Sequence, residues 1–392
     1  MYPTASIPRN HYLGLPGGLP RSRDHCVEGF RYLLLLIACL PAFAVGFADS
    51  LPGTQVLDWA ETDLSQRLMD GAHRFVERKI ADAGKERAKL WKYDFSSPLA
   101  YVASVEENRN VLRTILGVVD PRLPAGMERF GDELNPALVS QTETFRVYQV
   151  RWPVLEGVDG EGLLVQPAGV AVARVVVVPD ADQTPEQLLG LAPGLPRVQQ
   201  VGRRLAENGC ELVIPTLVDR RPLVTDDPVL GQSQQTSREW IYRQAYHMGR
   251  HIIGYEVQRV LAAVDWFEKT RSLAPGAKIG VAGFAEGGLI AFHVAALDTR
   301  VDAALISGYF ESRERVWAEP IYRNVWSRLV RFGDALPHTI CIAERIAIAG
   351  FAARQTRCRL LYFPSSSRST TRSFGGWPRS PGWTGSGLDS TG

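Results

Sequence analysis

Cysteine is scarce in this sequence, with five among 392 residues. None stands in a C-x-x-C pair, which excludes the common zinc-binding and thiol-redox motifs. Cys26 and Cys39 fall near the N-terminus, and Cys210, Cys341 and Cys358 are widely spaced and odd in number. They define no disulfide framework. A dominant charge is missing too. The 44 basic and 42 acidic side chains leave a net charge of +2, and no long basic run occurs before the C-terminal end. That balance argues against nucleic acid as a partner. No internal repeat is visible. The apolar run Tyr32 to Phe47 is interrupted by Pro41, which makes it a poor permanent membrane span.

What is present at the N-terminus reads as an export signal over residues 1–48. Arg21, Arg23 and Arg31 precede the apolar run, and small residues follow at Ala42-Phe43-Ala44. Cleavage would release the chain to the periplasm or the exterior. Two other readings stay open: an uncleaved anchor, and a lipoprotein box at Leu36-Ile37-Ala38-Cys39. Membrane contact is expected only through an uncleaved leader.

Residues 49–139 read as a helical extension. Leu64, Leu68, Ala72, Phe75, Val76 and Ile80 recur at three- and four-residue spacing. A second helical run, Val102 to Leu116, ends at Gly117. The character changes near Glu143. "ETFRVYQVRWPVL" and "GEGLLVQP" read as strands, and "ARVVVV" as a strand buried on both faces. A helix over about 195–208, the strand "CELVIPTL", a long helix over about 238–270, the strand "KIGVAGF", a helix over 285–297 and the strand "DAALISGYF" follow. Two strands, then alternating β and α units, predict an α/β domain over 140–361: a mainly parallel sheet with helices on both faces. From 362 onward, Ser, Arg, Gly, Pro and Trp without periodicity predict a disordered tail.

The chemistry-bearing stretch is "GVAGFAEGGLIAFHVAAL". A strand, a glycine-flanked turn and an apolar helix make the setting of a nucleophile elbow, but the serine position holds Ala285. With "VVVVPDADQTPEQ", "LVIPTLVDRR" and the strand that follows, the region 143–335 resembles the α/β-hydrolase superfamily, nearest its acetyl-xylan-esterase and dienelactone-hydrolase branch. The resemblance implies an acyl-ester hydrolase, without cofactor or metal, acting on a small-molecule or carbohydrate ester. It also implies a set of roles. Ala285 occupies the nucleophile position. The backbone N–H of Glu286 and the loop carrying Asp180, Asp182 and Gln183 form the oxyanion side. The late carboxylate Asp334 and His338 are the available acid and base. Four residues separate these two, too few for the usual separate loops, so the end of the domain reads as divergent, truncated or frame-shifted. The expectation is an exported esterase relative that is catalytically impaired. Its alternatives are a non-catalytic sugar- or ligand-binding module and a truncated product without function.

Other groups carry weaker signals. Glu286 is expected to act on the helix dipole, with a general-base role or ligand contact as alternatives. His247 and His251 are four apart, which on one helix face suits metal ligation, although Met248 replaces the usual glutamate. His293 is expected to point away from the elbow. Tyr309 and Phe310 suit an acyl pocket or the core. Arg323, Asn324 and Trp326 in "EPIYRNVW" suit the rim of a cleft or a plain helix start.

Overall fold

The computed structural model describes residues 52–55, 63–223, 234–309, 316–333 and 345–349. Asp334, His338, Phe310, the leader and the C-terminal tail lie outside these residues. The chain divides into two units, residues 1–69 and 70–392. In the first, Asp63 Oδ1 accepts the N–H of Ser65 at 2.8 Å as helix α1 (Leu64–Lys89) begins. The sheet and the remaining helices belong to the second.

The strands run β1 (Glu128–Arg129), β2 (Leu138–Gln141), β3 (Phe145–Leu155), β4 (Val158–Pro167), β5 (Ala173–Val178), β6 (Glu211–Pro215), β7 (Lys278–Phe284), β8 (Ala303–Ser307) and β9 (Arg345–Ala349). They form one sheet in the order β1-β3-β4-β6-β5-β7-β8-β9, with β2 also pairing β3. β3 and β4 are an antiparallel hairpin, β4 meets β6 antiparallel, and β5 to β9 are parallel. Trp152 on β3 lies opposite Gly160 on β4, where a Cβ would stand 2.1 Å from the indole. Glycine at that position is what lets the largest core side chain lie flat.

Period-2 alternation puts apolar side chains on both faces of the sheet. Val176 and Val178 of β5, Leu164 of β4 and Val213 of β6 join one core; Val177, Leu163, Val165, Leu212 and Ile214 join the other. Helices α2 (Pro98–Ile115), α6 (Ile252–Lys269) and α7 (Glu286–Leu297) cover the first core. The short helices α3 (Pro185–Leu189) and α4 (Val201–Glu207) cover the second. Helix α7 is buried along its whole length, as an all-round apolar helix must be.

Three expectations are corrected. The stretch assigned to the helical extension is not helical to residue 139, because β1 lies within it, β2 begins in it at Leu138, and both pair with β3. The long helix over 238–270 is two helices, α5 (Ser237–His247) and α6, broken where Gly249 takes φ 65°. That left-handed conformation suits glycine and ends a helix. Finally, β9 adds a parallel strand beside β8 within the end of the domain that reads in sequence as divergent, truncated or frame-shifted.

Candidate functional site

The connection from β5 leads to β6 on one side, while β7 lies on the other. The carboxyl ends of β5 and β7 therefore border a switch in strand order, where open α/β sheets form ligand sites. The loop 179–183 follows β5, and the turn at Ala285 follows β7.

Ala285 is the N-cap of α7 with φ 50° and ψ −111°. A non-glycine residue held there stores roughly 1–3 kcal/mol of strain. The surroundings impose it. Ala285 N–H donates to Ser307 O at 2.8 Å, and Ala285 O accepts from Leu289 N–H at 3.0 Å. At Gly287 an added Cβ would lie 2.1 Å from Val178 O, so strand and helix touch backbone to backbone. The strand therefore passes into the helix through a tight, strained turn, with the methyl group of Ala285 at its tip.

The N–H of Glu286 is already engaged. It donates to Asp180 Oδ1 at 3.0 Å. Arg220 grips the same carboxylate with both terminal nitrogens, at 2.7 and 2.9 Å. Burial alone would raise the Asp180 carboxyl; the Arg220 hydrogen bonds and charge, with N–H groups of Glu286 and Ala181, outweigh it and hold it below the usual carboxylate range. Asp182, placed on the oxyanion side by the resemblance, is half-exposed and pairs with Arg220 at 2.7 Å. Asp180, two residues earlier in the same loop, is the one that reaches the elbow.

The Glu286 side chain is fully buried and faces away from solvent into three guanidinium groups. Arg323 donates to it at 2.8 and 3.0 Å, Arg220 at 3.2 Å and Arg238 at 3.3 Å. Arg238, also fully buried, pairs bidentately with Glu256 at 2.7 and 2.8 Å. Tyr322 accepts from Arg220 Nε at 3.0 Å and lies under the Arg238 guanidinium. A carboxylate held by three guanidinium groups is a structural hub. The sequence offered no signal for this convergence, because the three arginines lie 37 to 66 residues from Glu286.

His247 and His251 do not share a helix face. His247 ends α5, while His251 is the buried N-cap of α6. His251 Nδ1 accepts from Ile253 N–H at 3.0 Å, so Nε2 carries the proton and donates to Asn324 O at 3.0 Å. No group of three or more metal-ligating side chains occurs among the described residues. His293 sits inside α7, its Nδ1 donating to Leu289 O at 2.8 Å one turn back. Burial pushes His251 down to about 4, below its ordinary 6.5. The unfolded chain therefore takes the proton first as pH falls. The contribution of His251 to stability should be full above about pH 6.5 and fall by about 3 kcal/mol on acidification towards pH 4. His251→Asn keeps a capping side chain and should flatten that limb of a stability-versus-pH curve from urea unfolding.

Two cavities border this unit's core. One, about 530 Å³, lies among Arg109, Arg113, Arg122 and Arg300 beside Leu297, at the far end of α7, roughly 18 Å along the helix from the elbow. The other, about 370 Å³, lies beside "RNVWSRLV" and is walled by Tyr242, Tyr246, Trp317 and Trp326.

Sheet order, elbow and flanking helices define an α/β-hydrolase fold. Residues 161–316 match the dienelactone hydrolase family. Among solved structures, a Bacteroides fragilis protein assigned as an acetyl xylan esterase superposes with a TM-score of 0.54 at 16% identity, over 71% of this chain and 75% of that one. Acetyl xylan esterase 1 from a Thermoanaerobacterium species gives 0.34 at 16% identity, over 56% and 63%. An acetyl xylan esterase from a Paenibacillus species gives 0.34 at 15% identity, over 66% and 79%. No curated protein matches the sequence.

Proposed function

We propose that this chain is an exported α/β-hydrolase-fold relative of acyl and carbohydrate esterases that does not hydrolyse esters by the serine route. One observation carries the reading: Ala285 offers a methyl group at the elbow, and the adjacent Glu286 N–H is spent on Asp180. Ester hydrolysis on this scaffold needs an elbow hydroxyl to attack and free N–H groups to hold the oxyanion. Here an incoming oxyanion would have to displace a carboxylate gripped by Arg220. Asp334 and His338 are proposed as the remaining acid and base positions, at a spacing that does not suit separate loops. Export rests on the basic and apolar leader.

The test is turnover of p-nitrophenyl acetate and acetylated xylan. Wild-type protein should match heat-denatured protein. Ala285→Ser alone should stay inactive, because its oxyanion donor remains occupied. Turnover clearly above the denatured control, by the wild type or by Ala285→Ser, would overturn the proposal.

A further inference from the structure

The cavity beside "RNVWSRLV" has a composition that the elbow does not explain. Arg323, Arg328 and Arg331 follow one another on this segment, and two have carboxylate partners: Arg323 has Glu286, and Arg331 has Glu107. Arg328, only 6% exposed, has none among the described residues. Its Nη1 donates to Tyr309 Oη at 2.9 Å, and its Nη2 has no hydrogen-bond partner among the described residues. A buried cation without a counter-charge is costly, so a fold that keeps one has a reason to expect an anion there. Asn324 adds a second such group. Its backbone carbonyl is taken by His251, while its buried Oδ1 accepts from no donor among the described residues.

Around these two polar groups stand large rings left in solvent. Trp326 is 70% and Trp317 60% exposed, and both line the cavity with Tyr242 and Tyr246. Indole faces open to water beside a cavity suit the C–H face of a sugar ring or another flat ligand. The volume of about 370 Å³ admits a monosaccharide unit.

We propose that this cavity is a binding site for a carboxylated pyranose, a hexuronic-acid unit. The carboxylate pairs with Arg328, a ring hydroxyl donates to Asn324 Oδ1, and the ring face lies on Trp326 and Trp317. A neutral sugar leaves the guanidinium without its counter-charge, and a flat aromatic acid leaves Asn324 without its donor. No bond is made or broken in this step. The site stands apart from the elbow, so the esterase assay above does not decide it.

The experiment is a tryptophan-fluorescence titration of the full protein at pH 7 with methyl glucuronoside and methyl galacturonoside, beside methyl glucoside and benzoate. At least one uronide should give a saturable change with a Kd about tenfold or more below those of both controls. Arg328→Met should weaken it by about tenfold or more while leaving the melting temperature equal or higher, since an unpaired buried cation is removed. Trp326→Ala alters an exposed ring, so it keeps the test open if Arg328→Met does not fold; it should weaken uronide binding by about fivefold or more, as loss of a stacking face implies. The proposal is overturned if neither uronide saturates, if methyl glucoside or benzoate binds as tightly, or if a folded variant at either position binds like wild type.

Discussion

Glu286→Ala should remove a large part of the protein's margin of stability. The lost carboxylate is fully buried and joins Arg220 from the segment after β6, Arg238 at the start of α5 and Arg323 from the turn after β8. The residual charges are not equally exposed to the loss. Arg238 keeps Glu256, and Arg220 keeps Asp180 and Asp182. Arg323 keeps only Glu319 at 3.4 Å among the described carboxylates. Removing one partner of a buried ion cluster costs about 3–5 kcal/mol, against a whole-domain stability of about 5–15 kcal/mol. The urea midpoint should therefore fall steeply with an unchanged slope. Glu286→Gln keeps the volume and an acceptor oxygen, so it should fall in between. A Glu286→Ala midpoint within about 0.5 kcal/mol of wild type, the scatter of ordinary surface changes, would refute the hub role.

In that hub Glu286 plays two parts. Its backbone N–H and its carboxylate face different tasks. The N–H meets Asp180 at the turn before α7, while the carboxylate ties together three segments that are distant in sequence. A carboxylate on the first turn of a helix is favoured by the helix dipole in any case. From sequence alone the dipole was sufficient reason for Glu286, so the ion cluster had no separate trace.

The fold was legible where local chemistry repeats. The valines of β5 alternate between two cores, and the glycine-flanked turn after β7 sits between a β-branched run and an apolar helix. Those patterns depend on neighbours in the chain. The break between α5 and α6 was not legible, because helix-favouring residues flank Gly249 on both sides and only its positive φ reveals the stop. β9 was missed because "RIAIA" is short and rich in alanine, a helix former. In the site, Asp180 and Asp182 looked alike in one acidic loop. Strand geometry decides between them: only Asp180 meets the Glu286 N–H. Arg328 carried no signal among the many basic residues of its segment; its burial without a counter-charge among the described residues is a tertiary fact.

Gly287→Ala should be nearly as damaging as the loss of Glu286, and for a different reason. The new Cβ would stand 2.1 Å from Val178 O and 2.4 Å from Pro179 O. Both obstacles are backbone at the end of β5, where no side chain can swing aside. Relief requires the first turn of α7 to move off the sheet, which also opens the close approach of Gly287 O to Gly283 on β7. Overpacking costs about 1–3 kcal/mol and occasionally more; a clash between two main chains belongs at or above about 3 kcal/mol. Gly280→Ala is the matched control. It lies on the same strand as the elbow, but its Cβ would meet Val175 Cγ2 at an ordinary 3.5 Å, so a change within about 1 kcal/mol is expected. The two variants also differ in a local readout. Displacing the first turn of α7 lengthens the Glu286 N–H to Asp180 bond, so hydrogen exchange at that amide should accelerate in Gly287→Ala beyond what the loss of global stability accounts for, and should not in Gly280→Ala. Equal midpoints for the two glycine variants would mean that backbone contact between β5 and α7 does not hold the elbow in its strained conformation.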